Sequence, residues 1–181
     1  YVNNITPKGQ KMTILDIGAG SGCICLTLKK LLPKTTIIGL ELSRGALSLA
    51  RLNAKKLDLK VVFLKSDLLA GFTKTLNNLI LVANLPYLDR HEIKDFPIEI
   101  KRGLSYEPSN ALYAGHHGLN AYRLLFKQII DSGSKPRALF IEISSAYWQD
   151  FYGLAKKYFP NSAISVINDL AKRKRFIKII F

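Results

Sequence analysis

Acidic residues are scarce in this sequence of 181 residues. Thirteen aspartates and glutamates stand against 27 lysines and arginines, so the formal net charge at pH 7 is +14. Such an excess creates a positive field that attracts polyanions, and contact with a nucleic acid or with the ribosome is therefore one expectation. The run 172–175 (KRKR) lies between two apolar stretches. We interpret it as a solvated turn between strands in preference to a dedicated binding patch.

Cysteines and long apolar runs are also scarce. Cys23 and Cys25 lie two positions apart near the start of a predicted helix, where their side chains point in different directions. This spacing argues against a disulfide or a metal pair, and we interpret both as packing residues in a reducing cytoplasm. No apolar run reaches the length of a membrane span, and the first ten residues lack the pattern of a signal peptide. We therefore expect a cytoplasmic protein without a membrane partner.

Apolar runs of strand length alternate with amphipathic runs of helical length, which indicates parallel strands joined by helices. The last two strands are joined by too few residues for a crossover helix, so they should form an antiparallel hairpin at one edge. We expect one domain over 1–181 with a doubly wound, Rossmann-like α/β fold of seven strands, the last of them reversed. The segment 88–117 is too long for an ordinary connection and suggests a functional loop or lid. The predicted strands are 12–18, 35–43, 59–69, 76–87, 137–144, 163–169 and 175–181, and the predicted helices are 23–33, 44–58, 119–131 and 147–159.

A glycine-rich loop joins the first strand to the first helix. Asp16 precedes it, and Gly18, Gly20 and Gly22 let the backbone come close to a ligand at the carboxyl edge of the sheet. The dinucleotide pattern G-x-G-x-x-G would need a glycine at Cys23, which argues against NAD.

Three acidic residues lie at the ends of three successive predicted strands. Asp16 could pair with the ammonium group of an amino-acid-like cofactor, and Glu41 could accept hydrogen bonds from ribose hydroxyls. Asp67 could accept from an adenine amine. Ammonium, ribose and adenine together describe S-adenosylmethionine, whose product after methyl transfer is S-adenosylhomocysteine.

The fourth predicted strand ends in the sequence Asn84-Leu85-Pro86-Tyr87. The fourth strand should lie beside the first, so Asn84 should face the methyl group and belongs to both the cofactor and the substrate site. This tetrapeptide resembles the N-P-P-Y motif, or its variants, in methyltransferases that act on adenine amines and on glutamine amides. Both acceptors present a planar NH2 group with a delocalised lone pair, which makes them poor nucleophiles.

The tetrapeptide could act as a clamp on such a group. The carboxamide oxygen of Asn84 and the backbone carbonyl of Leu85 can accept the two N–H bonds and point the nitrogen at the methyl group. Pro86 stiffens the turn and removes a competing donor, while the ring of Tyr87 can press on the planar substrate. Orientation of this kind can lower a barrier by about 7 kcal/mol or more. This chemistry requires neither a side-chain nucleophile nor a metal.

The rest of the chain, from about residue 14 to 181, resembles the HemK-type (PrmC family) protein-glutamine methyltransferases that modify peptide chain release factors. Their pattern E-P-x-x-A-L-x-x-G-x-x-G-L-x-x-Y-R is matched within 106–123, and weaker matches follow at 141–149 and 168–175. The residues that carry the strongest match are Tyr106, Glu107, Pro108, Ala111, Leu112, Gly115, Gly118, Leu119, Tyr122 and Arg123.

The resemblance implies a cytoplasmic enzyme that methylates the glutamine of the Gly-Gly-Gln motif of a release factor. Glu107 would then join the substrate site, and 88–117 would receive the tip of the release factor. The family's N-terminal helical substrate-recognition domain is absent from this chain, as is its P-R-x-E-T-E motif. Two alternatives stay open: an adenine amino-methyltransferase acting on RNA or DNA, which the charge favours, and a catalytically silent module that binds RNA or the ribosome.

Overall fold

The computed structural model describes residues 12–85 and 119–181. Their strands form one seven-stranded sheet with the order β3-β2-β1-β4-β5-β7-β6. The strands are β1 (Thr13–Ile17), β2 (Thr36–Glu41), β3 (Val62–Lys65), β4 (Ile80–Ala83), β5 (Ala138–Glu142), β6 (Ala163–Asn168) and β7 (Lys174–Ile180). The helices in the same ranges are α1 (Cys23–Leu31), α2 (Arg44–Lys56), α3 (Leu119–Asp131) and α4 (Trp148–Tyr158).

The strand directions confirm the predicted fold class. β1 pairs in parallel with β2 and β4, and β2 pairs in parallel with β3. β6 pairs antiparallel with β7 and lies at the edge of the sheet. Because β1, β2 and β3 are parallel neighbours, their carboxyl ends meet at one edge of the sheet.

Chain contacts define two compact units, which we describe separately. Among the described residues, the first consists of 12–83 and 132–139, and the second of 84–85, 119–131 and 140–181. Apolar side chains from the parallel strands form the core of the first unit. Those that are fully buried include Leu15, Ile17, Leu40 and Leu81.

Aromatic rings form the core of the second unit. Tyr122 and Phe126 of α3 are fully buried, and Phe126 packs edge-on against Phe159 with 5.1 Å between ring centroids. Tyr122 packs edge-on against Phe151 of α4 at 5.4 Å. These contacts explain why the helices at 119–131 and 147–159 were predictable from their apolar spacing.

Two predicted strands were too long because polar side chains and turns end them early. The third strand stops at Lys65, since the hydroxyl of Ser66 donates to the carbonyl of Leu68 and accepts from the amide of Gly71. The fourth strand begins only at Ile80 because a turn precedes it, in which the amide of Leu79 donates to the carbonyl of Leu76. Competition of this kind between side chain and backbone is typical of serine.

The interpretation of 172–175 as a turn is correct for only half of the run. Lys174 and Arg175 belong to β7, whereas the turn that joins β6 to β7 is closed by Asp169. The Asp169 carboxylate accepts from the amide and from Nε of Arg173, both at 2.9 Å.

No helix in the described parts of the chain is long and apolar enough to cross a membrane.

Candidate functional site

The loop between β1 and α1 is held against the end of β2 by its own backbone. The amides of Gly18 and Ala19 both donate to the carbonyl of Leu40 at 2.9 Å, and the amide of Gly22 donates to the carbonyl of Ala19 at 2.8 Å. Gly18, Gly20 and Gly22 all have positive φ angles. The predicted glycine loop is therefore a fixed turn at the carboxyl edge of the parallel strands.

Glu41, the last residue of β2, completes this attachment with its side chain. Its Oε2 accepts from the amide of Gly20 at 2.9 Å, and its Oε1 accepts from the amide of Ser43 at 2.8 Å. Ser43 in turn caps α2 by accepting from the amide of Ala46. One half-exposed carboxylate thus joins the glycine loop to the start of α2, and each of its oxygens keeps a further lone pair for a ligand.

The glycines of this region serve two different purposes. At Gly39 a Cβ atom would lie 2.6 Å from the ring of Phe63 and 2.9 Å from the sulfur of Cys25, so this position has to be bare for the core to close. At Gly20, where φ is +55°, a Cβ atom would meet no atom of residues 12–85 and 119–181 within 4 Å. Among the described residues, Gly20 therefore leaves room for a ligand to approach its backbone.

Asp16 lies inside the protein and not at its surface. Asp16 is fully buried in β1. Its Oδ2 accepts a hydrogen bond from the thiol of Cys25 at 3.1 Å, and its Oδ1 has no hydrogen-bond partner among the described residues. Burial raises the pKa of Asp16 from 3.8 to about 6, the Cys25 thiol opposes the rise, and the charge of Glu41 adds to it. A buried carboxylate oxygen without a partner is costly and marks a place where a donor is expected.

Cys25 is a residue whose role the sequence did not reveal. Burial, and then the charge of Asp16, raise the pKa of the Cys25 thiol, so the thiol keeps its proton and donates it to the carboxylate. The packing interpretation is wrong for Cys23, which is exposed. The spacing i, i+9 between Asp16 and Cys25 has no local meaning, and only the fold of the strand onto the helix brings them together.

Two further residues border the same edge of the first unit. Asp67 is exposed and follows β3, and Leu68 beside it has a φ of +51°, which is unfavourable for a residue with a branched side chain. Leu42, directly after Glu41, is 55% exposed. Acidic and apolar side chains thus lie next to each other at the ends of β2 and β3, and no sequence signal marked the apolar Leu42 as part of this edge.

In the second unit, Asn84 and Leu85 begin the predicted clamp. Asn84 is exposed, whereas Leu85 is buried. The amide of Leu85 donates to the hydroxyl of Tyr122 at 3.1 Å, and this hydroxyl donates to the carbonyl of Glu142 at 2.6 Å. Tyr122 is one of the residues that match the family pattern within 106–123, but no sequence signal predicts its contact with Leu85. The other predicted site residues Pro86, Tyr87 and Glu107, and the segment 88–117, lie outside the described residues.

The acidic residues between positions 12 and 85 are few and unevenly placed. Asp16, Glu41 and Asp67 all lie at or just beyond the carboxyl ends of strands, and Asp58 is the remaining one. Lys65, the last residue of β3, pairs in register with Glu41, so acidic and basic side chains lie together at this edge. Within residues 12–85 and 119–181, no group of three histidine, cysteine or acidic side chains is arranged to hold a metal ion.

The fold is similar to that of solved methyltransferase structures. A methyltransferase from Pyrococcus furiosus superposes with a TM-score of 0.68 at 13% identity, covering 94% of this chain and 75% of the other. The N-terminal domain of human METTL16 in complex with SAH superposes with a TM-score of 0.63 at 13% identity, covering 99% of this chain and 65% of the other.

Residues 1–99 match the model of the methyltransferase small domain, and the chain belongs to this family. It is also similar to the release factor glutamine methyltransferase of Streptococcus pneumoniae, with 30% identity over 168 residues. The aligned region is 93% of this chain and 58% of that protein, so the chain spans little more than half the length of this relative.

Proposed function

We propose that this chain transfers a methyl group from S-adenosylmethionine to the side-chain amide nitrogen of the glutamine in the Gly-Gly-Gln motif of a peptide chain release factor. The observation that carries the methyl-donor half is the glycine loop, which is bonded to Glu41 and in which Gly20 has no side chain or backbone of the described residues above it within 4 Å. The acceptor half is supported by the similarity to a release factor glutamine methyltransferase over 93% of the chain. Two free cysteines agree with a cytoplasmic setting.

The residues of the first unit fit this cofactor in chemistry and position. Glu41 would accept hydrogen bonds from the ribose hydroxyls with the lone pairs that Gly20 and Ser43 leave free. Asp16, whose buried Oδ1 has no partner among the described residues, would attract an ammonium at the base of the loop, and exposed Asp67 would accept a hydrogen bond from an adenine amine. When bound, the cofactor supplies a methyl group on a positively charged sulfur.

The residues of the proposed clamp act on the acceptor. Asn84 and the carbonyl of Leu85 would accept the two N–H bonds of the glutamine amide, so that its nitrogen is turned toward the methyl group. Pro86 and Tyr87 would stiffen the turn and cover the amide plane, and Glu107 would contact the release factor. These groups orient the glutamine amide and form no covalent bond with it. The expected rate enhancement therefore comes from the orientation of the amide nitrogen toward the methyl group.

Glu41→Ala is expected to weaken cofactor binding by about 10- to 100-fold, because hydrogen bonds to a charged group contribute about 1.5–3 kcal/mol. The cofactor affinity of Glu41→Gln should lie between those of Glu41→Ala and the wild type, since a carboxamide oxygen can still accept from the amide of Gly20. Calorimetric titration with S-adenosylhomocysteine measures both. Asp58→Asn, at the remaining acid of this region, is the control and should bind as the wild type does. An unchanged affinity in Glu41→Ala would remove Glu41 from the cofactor site.

The acceptor is tested by offering the purified chain labelled S-adenosylmethionine with three substrates. These are a bacterial release factor, the same factor with the Gly-Gly-Gln glutamine changed to asparagine, and undermethylated ribosomal RNA. We expect label in the first only. Label in the RNA alone would replace the proposal with an adenine amino-methyltransferase, which the charge of +14 would favour. Cofactor binding without label in any substrate would contradict both acceptors.

A further inference from the structure

Tyr122 of α3 holds the backbone that follows β4. Its hydroxyl accepts from the amide of Leu85 at 3.1 Å and lies 2.6 Å from the carbonyl of Glu142. Since an amide can only donate, the single hydroxyl proton points to Glu142. We propose that Tyr122 is a positioning residue for the methyl acceptor, because it holds the peptide that joins Asn84, whose side chain is the carboxamide of the clamp, to Leu85, whose carbonyl is its second acceptor. This inference rests on the proposed function.

The bond to Tyr122 restrains more than one atom of the clamp. The amide of Leu85 and the carbonyl of Asn84 lie in the same rigid peptide plane, so a fixed N–H direction also fixes the direction of that carbonyl. The plane separates an exposed residue from a buried one, because Asn84 is exposed while only 3% of Leu85 is exposed. Holding this plane restricts the ψ angle of Asn84 and the φ angle of Leu85, and so the direction of the Leu85 carbonyl relative to the Asn84 side chain.

Tyr122 is itself unable to follow such a rotation. The residue is completely buried, and its ring packs edge-on against Phe151 with 5.4 Å between centroids and an angle of 83°. Phe126 contacts the same ring at 6.3 Å. The phenol therefore presents its hydroxyl to Leu85 from a fixed direction.

The far end of this tie is equally well held. Glu142 is the last residue of β5, and the next residue, Ile143, donates through its amide to the carbonyl of Arg175 at 2.9 Å. The guanidinium of Arg175 donates back to the carbonyl of Ile143. The hydroxyl of Tyr122 thus connects the backbone of the clamp to the end of β5, which is itself bonded to Arg175 of β7.

Removing the hydroxyl leaves two backbone groups without this partner inside the protein. A buried group that loses its hydrogen bond tends to turn toward another partner or toward water. A displacement of about 1 Å at a reacting group can cost about 100-fold in rate. The expected consequence of Tyr122→Phe is therefore a loss in kcat and not in the affinity for either substrate.

Tyr122→Phe is tested with two independent measurements. Amide hydrogen exchange at Leu85, followed by NMR on labelled protein, should be at least about 10-fold faster than in the wild type because the amide loses its acceptor. In methyl transfer to the release factor, kcat should fall by about 10- to 100-fold while both KM values stay within about threefold.

Two variants serve as controls. Tyr152→Phe removes a phenolic hydroxyl from α4 that makes no hydrogen bond within residues 12–85 and 119–181, and it should leave both measurements unchanged. Ile129→Val trims a buried side chain of α3 and should lower the melting temperature without lowering kcat. If it lowers kcat as Tyr122→Phe does, general destabilisation and not positioning explains the loss.

The failures of this inference and of the proposed function are distinct. A Leu85 amide that exchanges equally fast in Tyr122→Phe and in the wild type overturns the positioning role alone, and so does an unchanged kcat. A wild-type chain that labels no release factor contradicts the proposed function and with it the acceptor that Tyr122 would serve. Faster exchange together with a kcat loss at constant KM supports the inference.

Discussion

Asn84→Ala is expected to lower kcat by about 100-fold while the dissociation constant of the cofactor stays within about threefold of the wild type. The proposed role of Asn84 is to orient the acceptor nitrogen, and orientation acts on the rate of transfer. A 100-fold loss corresponds to about 2.7 kcal/mol of barrier. Single-turnover methylation of the release factor measures the rate, and calorimetry measures cofactor binding.

A second substitution at this position separates an acceptor role from a steric one. Asn84→Asp keeps an oxygen that can accept from the substrate amide, so it should retain more activity than the alanine variant. Asn120, an exposed asparagine of α3, provides the matched control, and Asn120→Ala should behave as the wild type. If Asn84→Ala loses cofactor affinity in the same proportion as rate, Asn84 acts through cofactor binding alone and its role in the clamp is wrong.

Asp16→Asn is expected to make the protein more stable near neutral pH and at the same time to weaken cofactor binding. Burial raises the pKa of Asp16 from 3.8 to about 6. Between these values the folded protein binds more protons than the unfolded chain, so the free energy of unfolding falls as pH rises through this window. The loss amounts to about 3 kcal/mol above pH 6, at 1.36 kcal/mol per pKa unit.

Asparagine does not ionise, so the free energy of unfolding of Asp16→Asn should not fall in this pH window. Urea unfolding of both proteins at a series of pH values between 4.5 and 7.5 measures this free energy. The stability of the variant relative to the wild type should increase as pH rises. Asp58→Asn, at an exposed carboxylate, is the matched substitution measured over the same pH series. A constant difference for Asp16→Asn, or one that shrinks with rising pH, would show that the buried carboxylate is not a source of instability.

The fold was largely predictable because its apolar periodicity is strong. The helix predicted at 119–131 coincides with α3, since its buried side chains recur at helical spacing. The antiparallel pairing of β6 and β7 followed from the short connection between them. Strand ends were less predictable because local polar bonds decide them, as the hydroxyl of Ser66 does after β3.

The candidate site was predictable only where position along a strand is enough. Asp16, Glu41 and Asp67 were placed at strand ends from the pattern alone, and the structure has them there. Their roles toward a cofactor stay predictions. The thiol of Cys25 on Asp16 and the hydroxyl of Tyr122 on Leu85 could not be predicted, because each bond joins residues that only tertiary packing brings together.

The attachment of the glycine loop to β2 has a consequence for ligand capture. Leu40 and Glu41 hold this turn through three backbone amides, so its conformational entropy is already lost when the chain folds. A binding loop that is already ordered needs no ordering step when a ligand binds, which favours fast association. Differences in affinity between ligands are then set mainly by their dissociation rates.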